Sequence, residues 1–195
     1  MKKNGFMPNS DNQLIETIWA TLKEASLLKT RRFNPKMILQ LGKRTPRQII
    51  ENGKISEELG CLDKAVVIGA LMQQKGLQTW IVAEQAHFNG VRTLMHFCVQ
   101  VTDGQNRFTI DPQPDKNLII EGWPEKRAIE SQARKKKTTI VYTKRFRKLL
   151  PKNAMNITAF QLSGIKNRSH YIRLSRPKLV QTVKLLFQNR RRSPK

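Results

Sequence analysis

The sequence predicts an α+β fold in which a helix is followed by antiparallel strands. Residues 60–76 form an apolar stretch of helical character, and Lys75-Gly76 at its end is a common C-terminal signal of helices. Residues 93–101 alternate between apolar and polar side chains, as a half-buried strand does. Asp103-Gly104 follows, and this pair between alternating segments favours a hairpin. We therefore expect a helix packed against an antiparallel sheet.

The residues before this core predict helices. Apolar side chains recur at helical spacing from Leu14 to about Leu28. Asn34-Pro35 and Thr45-Pro46 each place a capping residue before a proline, which predicts short helices over residues 35–41 and 46–51. Residues 1–59 are accordingly expected to form a helical N-terminal part.

Further elements are expected around and after the hairpin. Residues 79–83 are apolar and predict a strand, and the residues from there to Arg92 are expected to form a loop that carries His87 over the histidine strand. Residues 138–143 are rich in β-branched side chains and favour an edge strand. A last helix is expected to begin at Ser175.

Positive charge is concentrated in the last third of the chain. The formal net charge is +23, and residues 126–195 contain 21 of the 37 lysines and arginines but a single acid, Glu130. This asymmetry predicts a domain over residues 1–125, with its core at 60–112, and a basic C-terminal extension over 126–195 that packs on or follows the core. Such a basic region indicates nucleic acid or another acidic partner.

The cysteine content and the hydropathy pattern indicate a compartment. Two cysteines, Cys61 and Cys98, exclude a disulfide framework and favour a reducing environment. The sequence contains no apolar stretch of membrane-spanning length and no signal-peptide pattern, so we expect a soluble, cytoplasmic protein. We expect no cofactor, because the sequence has no dinucleotide or phosphate-loop fingerprint, and no metal, because it has no Cys-x-x-Cys or His-x-x-x-His spacing.

Spacing also predicts a group of three reactive side chains. A two-residue turn at Asp103-Gly104 places His96 directly opposite Asp111 on the neighbouring strand, close enough to bond. Cys61 lies in the first turn of the apolar helix, where the helix dipole favours a thiolate. Cys61, His96 and Asp111 therefore form a candidate nucleophile, base and orienting carboxylate.

This stretch resembles the transglutaminase-like superfamily of papain-like thiol enzymes. The resemblance rests on Gly60-x-x-x-x-Ala65 around Cys61, on His96 at the start of the alternating strand, and on Asp111-Pro112, and it covers about a quarter of the chain. It implies a papain-like core, with Cys61, His96 and Asp111 as the catalytic triad of a domain over residues 1–125. It also implies a thiol-dependent acyl-transfer enzyme that acts on peptide or side-chain amide bonds.

Several alternatives remain open at the sequence level. The enzyme is expected to be a cysteine peptidase or amidase, because no further domain is available to select an amine, but protein-glutamine crosslinking is the alternative. His87 could act as a second base, Cys98 could form a disulfide with Cys61, and His87, His96, Cys61 and Cys98 could bind a metal. The chain could also be a basic nucleic-acid-binding protein on a papain-like scaffold.

Overall fold

A computed structural model describes residues 10–31, 42–56, 60–88, 91–112, 117–131 and 138–166. The helices expected over residues 35–41 and from Ser175 lie outside these ranges. The described part combines a few helices with a curled antiparallel sheet, in agreement with the predicted α+β class. No helix within it has the length and apolar character needed to cross a bilayer.

In the sequence, three of the described helices precede the main sheet and one follows it. They are α1 (Ser10–Ala25), α2 (Pro46–Asn52), α3 (Gly60–Gln74) and α4 (Ala159–Ser163), with a 3-10 turn at Ala154–Asn156. The predicted start of α2 is confirmed, because Thr45 accepts a hydrogen bond from the backbone of Gln48 and the Gln48 side chain accepts one in return. α1 ends at Ala25, slightly earlier than its apolar spacing predicts.

Six of the eight strands that the structure describes form one antiparallel sheet. The strands are β1 (Lys29–Arg31), β2 (Lys54–Ser56), β3 (Gln78–Phe88), β4 (Val91–Thr102), β5 (Arg107–Pro112), β6 (Asn117–Glu121), β7 (Lys126–Ser131) and β8 (Thr138–Leu149). Their order in the main sheet is β6-β5-β4-β3-β8-β7, and β1 and β2 form a separate parallel pair. The long strands β3 and β4 are therefore at the centre, beside β8.

The hydrophobic core lies between the helices and one face of this sheet. It contains Leu62, Ile68 and Met72 of α3 together with Ile81 of β3 and Phe97 of β4, all fully buried or nearly so. α3 packs very closely there: a methyl group at Gly69 would meet a methyl of Leu150 at 2.8 Å and one of Ile81 at 3.0 Å. Only glycine allows this distance, and the close packing fixes α3, and with it Cys61, against the sheet.

The order of the strands requires the sheet to curl. β6 and β7 are consecutive in the chain but lie at opposite edges, joined by residues 122–125. A flat sheet of six strands is roughly 24 Å across, whereas this link spans at most about 18 Å. The edges must therefore approach each other, and the face that points away from the helices becomes a partly enclosed interior.

Two sequence-based expectations are corrected by these strands. Residues 84–88 are not a loop, because β3 continues to Phe88 and carries His87 within the ladder. Residues 138–143 do not form an edge strand: β8 lies between β3 and β7 and extends through residues 144–149. β7 and β8, which follow residue 125, belong to the same sheet as β3–β6, and Leu150 and Phe160 belong to the same core as α3.

Candidate active site

Cys61 lies in the first turn of α3 and is partly buried against the hydrophobic core. The same turn is anchored by Asp63, a buried carboxylate that accepts a hydrogen bond from Arg44. Arg44 also donates to the backbone carbonyl of Lys54 at 2.9 Å and so ties the start of α3 to β2. Burial raises the pKa of Asp63, and the Arg44 guanidinium partly opposes that rise.

The structure brings Cys61, His96 and Asp111 together. His96 Nε2 donates to Asp111 Oδ1 at 2.5 Å, and Cys61 forms a hydrogen bond with the same ring. Because Nε2 bonds the carboxylate, Nδ1 is the ring nitrogen left for the sulfur. The Asp111 side chain has no exposed surface, and that of His96 is 12% exposed. The three side chains therefore have the connectivity of a nucleophile, a base and an orienting acid.

The surroundings of His96 favour its protonated form. Burial alone lowers the pKa of the ring, but hydrogen bonds to Asp111 and Cys61, and attraction to their negative charges, raise it to about 10. The ring is therefore an imidazolium at neutral pH, next to the cysteine sulfur. An imidazolium in this position stabilises a thiolate electrostatically.

The hairpin that positions His96 and Asp111 differs from the predicted one. Its connection is four residues long, and the β4–β5 ladder pairs Thr102 with Arg107 and Val99 with Ile110. The Asp103 carboxylate accepts from the backbone of Gln105 and Asn106, which stabilises this longer turn. His96 is therefore not directly opposite Asp111, and the predicted register is wrong by two residues.

The pairing of His96 with Asp111 survives this error because side chains alternate along a strand. A shift of two residues keeps both side chains on the same face and makes them diagonal neighbours, which are still within reach. Beyond Val99, β4 has no ladder partner on the β5 side among the described residues. The described residues therefore leave the β5 side of β4 unpaired at His96, and Cys61 in the first turn of α3 bonds the ring.

A buried ion network that the sequence reasoning missed extends from Asp111. Arg127 of β7 donates from Nη1 to Asp111 Oδ2 at 2.5 Å, and from Nη2 and Nε to the Glu84 carboxylate at 2.5 and 3.1 Å. The guanidinium lies 4.1 Å from the centre of the Tyr142 ring, which is itself 5.0 Å from the His96 ring. Glu84 directly follows the apolar residues 79–83, in the stretch that was expected to be a loop, and Arg127 lies in the basic extension, so neither residue was singled out.

The other residues that the sequence singled out do not join the triad. His87 is in β3, where it pairs with Arg92 and Val141 in the ladder, and no described contact connects it to the triad. Cys98 is a free, fully buried cysteine, and burial together with the charge of Glu84 raises its thiol pKa. No group of three or more His, Cys, Asp and Glu side chains in the described ranges is arranged to hold a metal ion.

The interior face has a second, more exposed feature that we call the Arg–Trp cluster (Trp80, Arg107, Trp123 and Arg147). Trp123, in the link between β6 and β7, packs edge-on against Trp80 with ring centres 4.8 Å apart. Arg107 and Arg147 lie 4.9 and 5.2 Å from the Trp123 ring centre. Both arginines are exposed, and neither has an ion-pair partner among the residues that the structure describes.

Comparison of this chain with protein-family models, with curated proteins and with solved structures finds no match.

Proposed function

We propose that this protein is a thiol-dependent hydrolase that cleaves peptide or side-chain amide bonds through a Cys61 thioester. The observation that carries the proposal is the continuous hydrogen-bonded path from Cys61 through His96 to Asp111 at the start of α3. The order of the motifs, which resembles that of the transglutaminase-like superfamily, and a helix packed on an antiparallel sheet also support it.

The chemistry follows from the positions of these groups. The Cys61 thiolate, formed by proton transfer to His96, attacks the amide carbon, and the backbone N–H of Cys61 at the helix start helps to stabilise the oxyanion. His96 then gives its proton to the departing amine as the C–N bond breaks, which leaves a thioester. Water, deprotonated by His96, attacks the thioester and releases the acid and the free cysteine. Asp111 stabilises the imidazolium that forms in each half-reaction.

The reactivity of Cys61 tests the proposal without a known substrate. We would measure the rate of alkylation by iodoacetamide against pH in a Cys98→Ser background, with and without His96→Ala. The expected profile has a plateau that begins well below the free-cysteine pKa of about 8.5 and disappears in His96→Ala. An ordinary thiol profile that does not depend on His96 would contradict the proposal.

The molecule that attacks the thioester, water or an amine, decides whether the reaction is hydrolysis or crosslinking. The same thioester can react with a primary amine instead of water, and the product is then a transamidated glutamine side chain. Incubation with a glutamine-containing peptide and a fluorescent primary amine separates the two. We expect release of ammonia without incorporation of the amine, whereas stoichiometric incorporation would identify a transglutaminase-type activity.

A second candidate function, binding of single-stranded nucleic acid, is favoured by the Arg–Trp cluster. Its two arginines are held against indole rings, are exposed, and belong to a chain of net charge +23. Guanidinium groups fixed in this way offer several N–H donors to phosphate oxygens. The Arg–Trp cluster would bind the sugar-phosphate backbone of a nucleic-acid strand at the exposed end of the interior face of the sheet.

Salt dependence tests this second function. Affinity for a random single strand should fall with rising salt, and Arg107→Gln/Arg147→Gln should reduce the slope of log K against log salt by about 1.4. Lys43→Gln/Lys152→Gln removes two exposed charges elsewhere and controls for net charge. Equal slopes for the two double variants, or no binding at low salt, would exclude the cluster as a nucleic-acid site.

A further inference from the structure

Arg127 connects two acids that are distant in the sheet. Asp111 is on β5 and Glu84 is on β3, whereas Arg127 is on the edge strand β7, and the curl of the sheet brings the three together. All three side chains are buried, with exposed fractions of 0, 3 and 5% for Asp111, Glu84 and Arg127. Each carboxylate oxygen of Glu84 accepts a bond from Arg127, and the Arg127 Nη1 group is directed at Asp111.

The net charge of Asp111, Glu84 and Arg127 determines how strongly a protonated His96 ring is attracted to its surroundings. If Arg127 were bonded to Asp111 alone, the two charges would cancel, and little attraction would remain for a protonated ring. Glu84 takes two of the three Arg127 hydrogen bonds, and its negative charge balances that of the guanidinium. The three groups together carry one net negative charge, next to a ring that must accept a proton during the proposed reaction.

Hydrogen bonding assigns a separate role to Arg127. The two oxygens of Asp111 have different partners: Oδ1 accepts from His96, and Oδ2 accepts from Arg127. A buried carboxylate with one oxygen held in this way cannot rotate away from the ring without breaking a charge-assisted bond. The Tyr142 ring below the guanidinium restricts Arg127 in turn.

We propose that Glu84 and Arg127 act as one positioning pair for the candidate triad. Arg127 holds the Asp111 carboxylate in its orientation towards His96, and Glu84 cancels the charge of Arg127 so that the charge of Asp111 remains available to the ring. This inference deepens the proposed function and rests on it, because the pair acts through Asp111 and His96 and does not touch a substrate.

Within the described residues, the groups near His96 and its ion network come from α3 and five strands. They are Cys61 from α3, Glu84 from β3 in register with His96, Cys98 from β4, Asp111 from β5, Arg127 from β7 and Tyr142 from β8. Lys144 is in register with Glu84 but is paired with the exposed Glu125. Removing the charge of Glu84 should therefore affect His96 mainly through the balance with Arg127.

Titration of the His96 ring nitrogens by NMR tests the inference. The chain has three histidines, so the signals of His96 can be assigned by their loss in His96→Gln. We would compare Glu84→Gln, Arg127→Met and the double variant, all in a Cys61→Ser/Cys98→Ser background so that neither thiol titrates beside the ring or its ion network. Glu125→Gln removes an exposed acid as the matched control.

The expected order of pKa values is diagnostic of charge balance. Glu84→Gln leaves the Arg127 charge uncancelled and should lower the pKa of His96 by about one unit or more, whereas Glu125→Gln should not change it. The double variant removes both charges and should restore the pKa of His96 to within about half a unit of its value in the background protein that retains Glu84 and Arg127. A merely structural role predicts the opposite, with a larger disturbance in the double variant than in Glu84→Gln.

The titration of His96 and the alkylation of Cys61 can fail independently, so their results distinguish this inference from the proposed function. An unchanged titration in Glu84→Gln, or a further decrease in the double variant, would overturn the inference even if Cys61 proves to be a nucleophile. If alkylation of Cys61 shows an ordinary thiol profile while the titrations follow the expected order, the proposed function fails and the positioning pair stands. Should Arg127→Met fail to fold, Glu84→Gln against Glu125→Gln decides the question.

Discussion

Two buried aspartates of this protein are each bonded to an arginine, yet their surroundings differ. Asp63 has Arg44 as its ion-pair partner, and the second oxygen of its carboxylate is buried without a hydrogen bond among the described residues. Asp111 has a cation or potential cation on each oxygen, Arg127 on one and His96 on the other. Burial raises the pKa of Asp63, so its ionised form is costly.

This difference separates an ion pair that joins parts of the fold from one that belongs to the candidate active site. The pair of Asp63 and Arg44 fixes the start of α3 to β2, and one bond is sufficient for that purpose. In the proposed reaction, the pair of Asp111 and Arg127 keeps the carboxylate oriented while its other partner, His96, gains and loses a proton. Arg127 supplies a permanent cation at the second oxygen of this buried carboxylate.

The largest expected effect is on the reactivity of Cys61 in Asp111→Asn. Without the carboxylate, His96 loses the hydrogen bond that contributes most to its raised pKa, and the proposed Cys61 thiolate loses the imidazolium beside it. Because a free cysteine is only a few per cent thiolate at neutral pH, alkylation at pH 7 should slow by about thirtyfold. Stopped-flow alkylation in the Cys98→Ser background measures this, and circular dichroism confirms the fold. A rate equal to that of the parent would remove Asp111 from the site.

The next effect is on stability, in Arg44→Met. This change leaves the Asp63 carboxylate buried without a cation and should lower the free energy of unfolding by about 2–4 kcal/mol. The folded-state pKa of Asp63 already lies above its unfolded value, so ionisation costs stability as pH rises through the folded pKa. The deficit should therefore shrink as pH falls from about 7 to about 5.

Urea unfolding of the wild-type protein and of Arg44→Met, each at about pH 7 and about pH 5, measures the difference in unfolding free energy. Arg47→Met, which removes an exposed arginine bonded to Asn156, is the matched control. A deficit that grows towards low pH would contradict the assignment of the cost to ionised Asp63.

A smaller effect is the pH dependence that His96 confers on stability. Its folded pKa of about 10 lies above the unfolded value of 6.5, so the stability it contributes is complete below pH 6.5 and is lost as pH rises towards 10. In Cys61→Ser the thiol no longer titrates and its share of the raised pKa is lost, so unfolding free energy should fall by at most about 1.4 kcal/mol per pH unit over a correspondingly narrower range. The slope should be absent when His96→Gln is added, and a slope that persists would assign it to another group.

The smallest effect is expected at the exposed pair of Lys144 and Glu125. Its acid is largely exposed, and such pairs contribute little. Glu125→Gln should change the free energy of unfolding by less than about 0.5 kcal/mol and should leave Cys61 alkylation unchanged. If Glu125→Gln lowered the free energy of unfolding as much as Arg44→Met, the contribution of these ion pairs to stability would not depend on how deeply they are buried.

Local sequence patterns were sufficient for the three residues of the candidate site. Cys61 was placed by the start of an apolar helix, and His96 by alternation along β4. Asp111 was found although the register was wrong by two residues, since a shift of two preserves the face. The α+β class follows from the same patterns, because helical spacing and alternation are local properties.

The positioning pair and the position of β8 could not be read from local patterns. Arg127 lies in a basic stretch that resembles a solvated surface, and its contact with Asp111 exists only because the sheet curls. The insertion of β8 between β3 and β7 is likewise a long-range pairing, about sixty residues from its partner in sequence. Such contacts depend on the whole sheet.

The short link over residues 122–125 has a consequence for how the protein forms during synthesis. Because β6 and β7 are at opposite edges, the interior closes only when β8 has entered beside β3, and β8 is the last of the described strands of the sheet to leave the ribosome. A nascent chain that ends after β6 already contains Cys61, His96 and Asp111 but not Arg127. The topology thus leaves Asp111 without its Arg127 partner until β7 and β8 have joined the sheet.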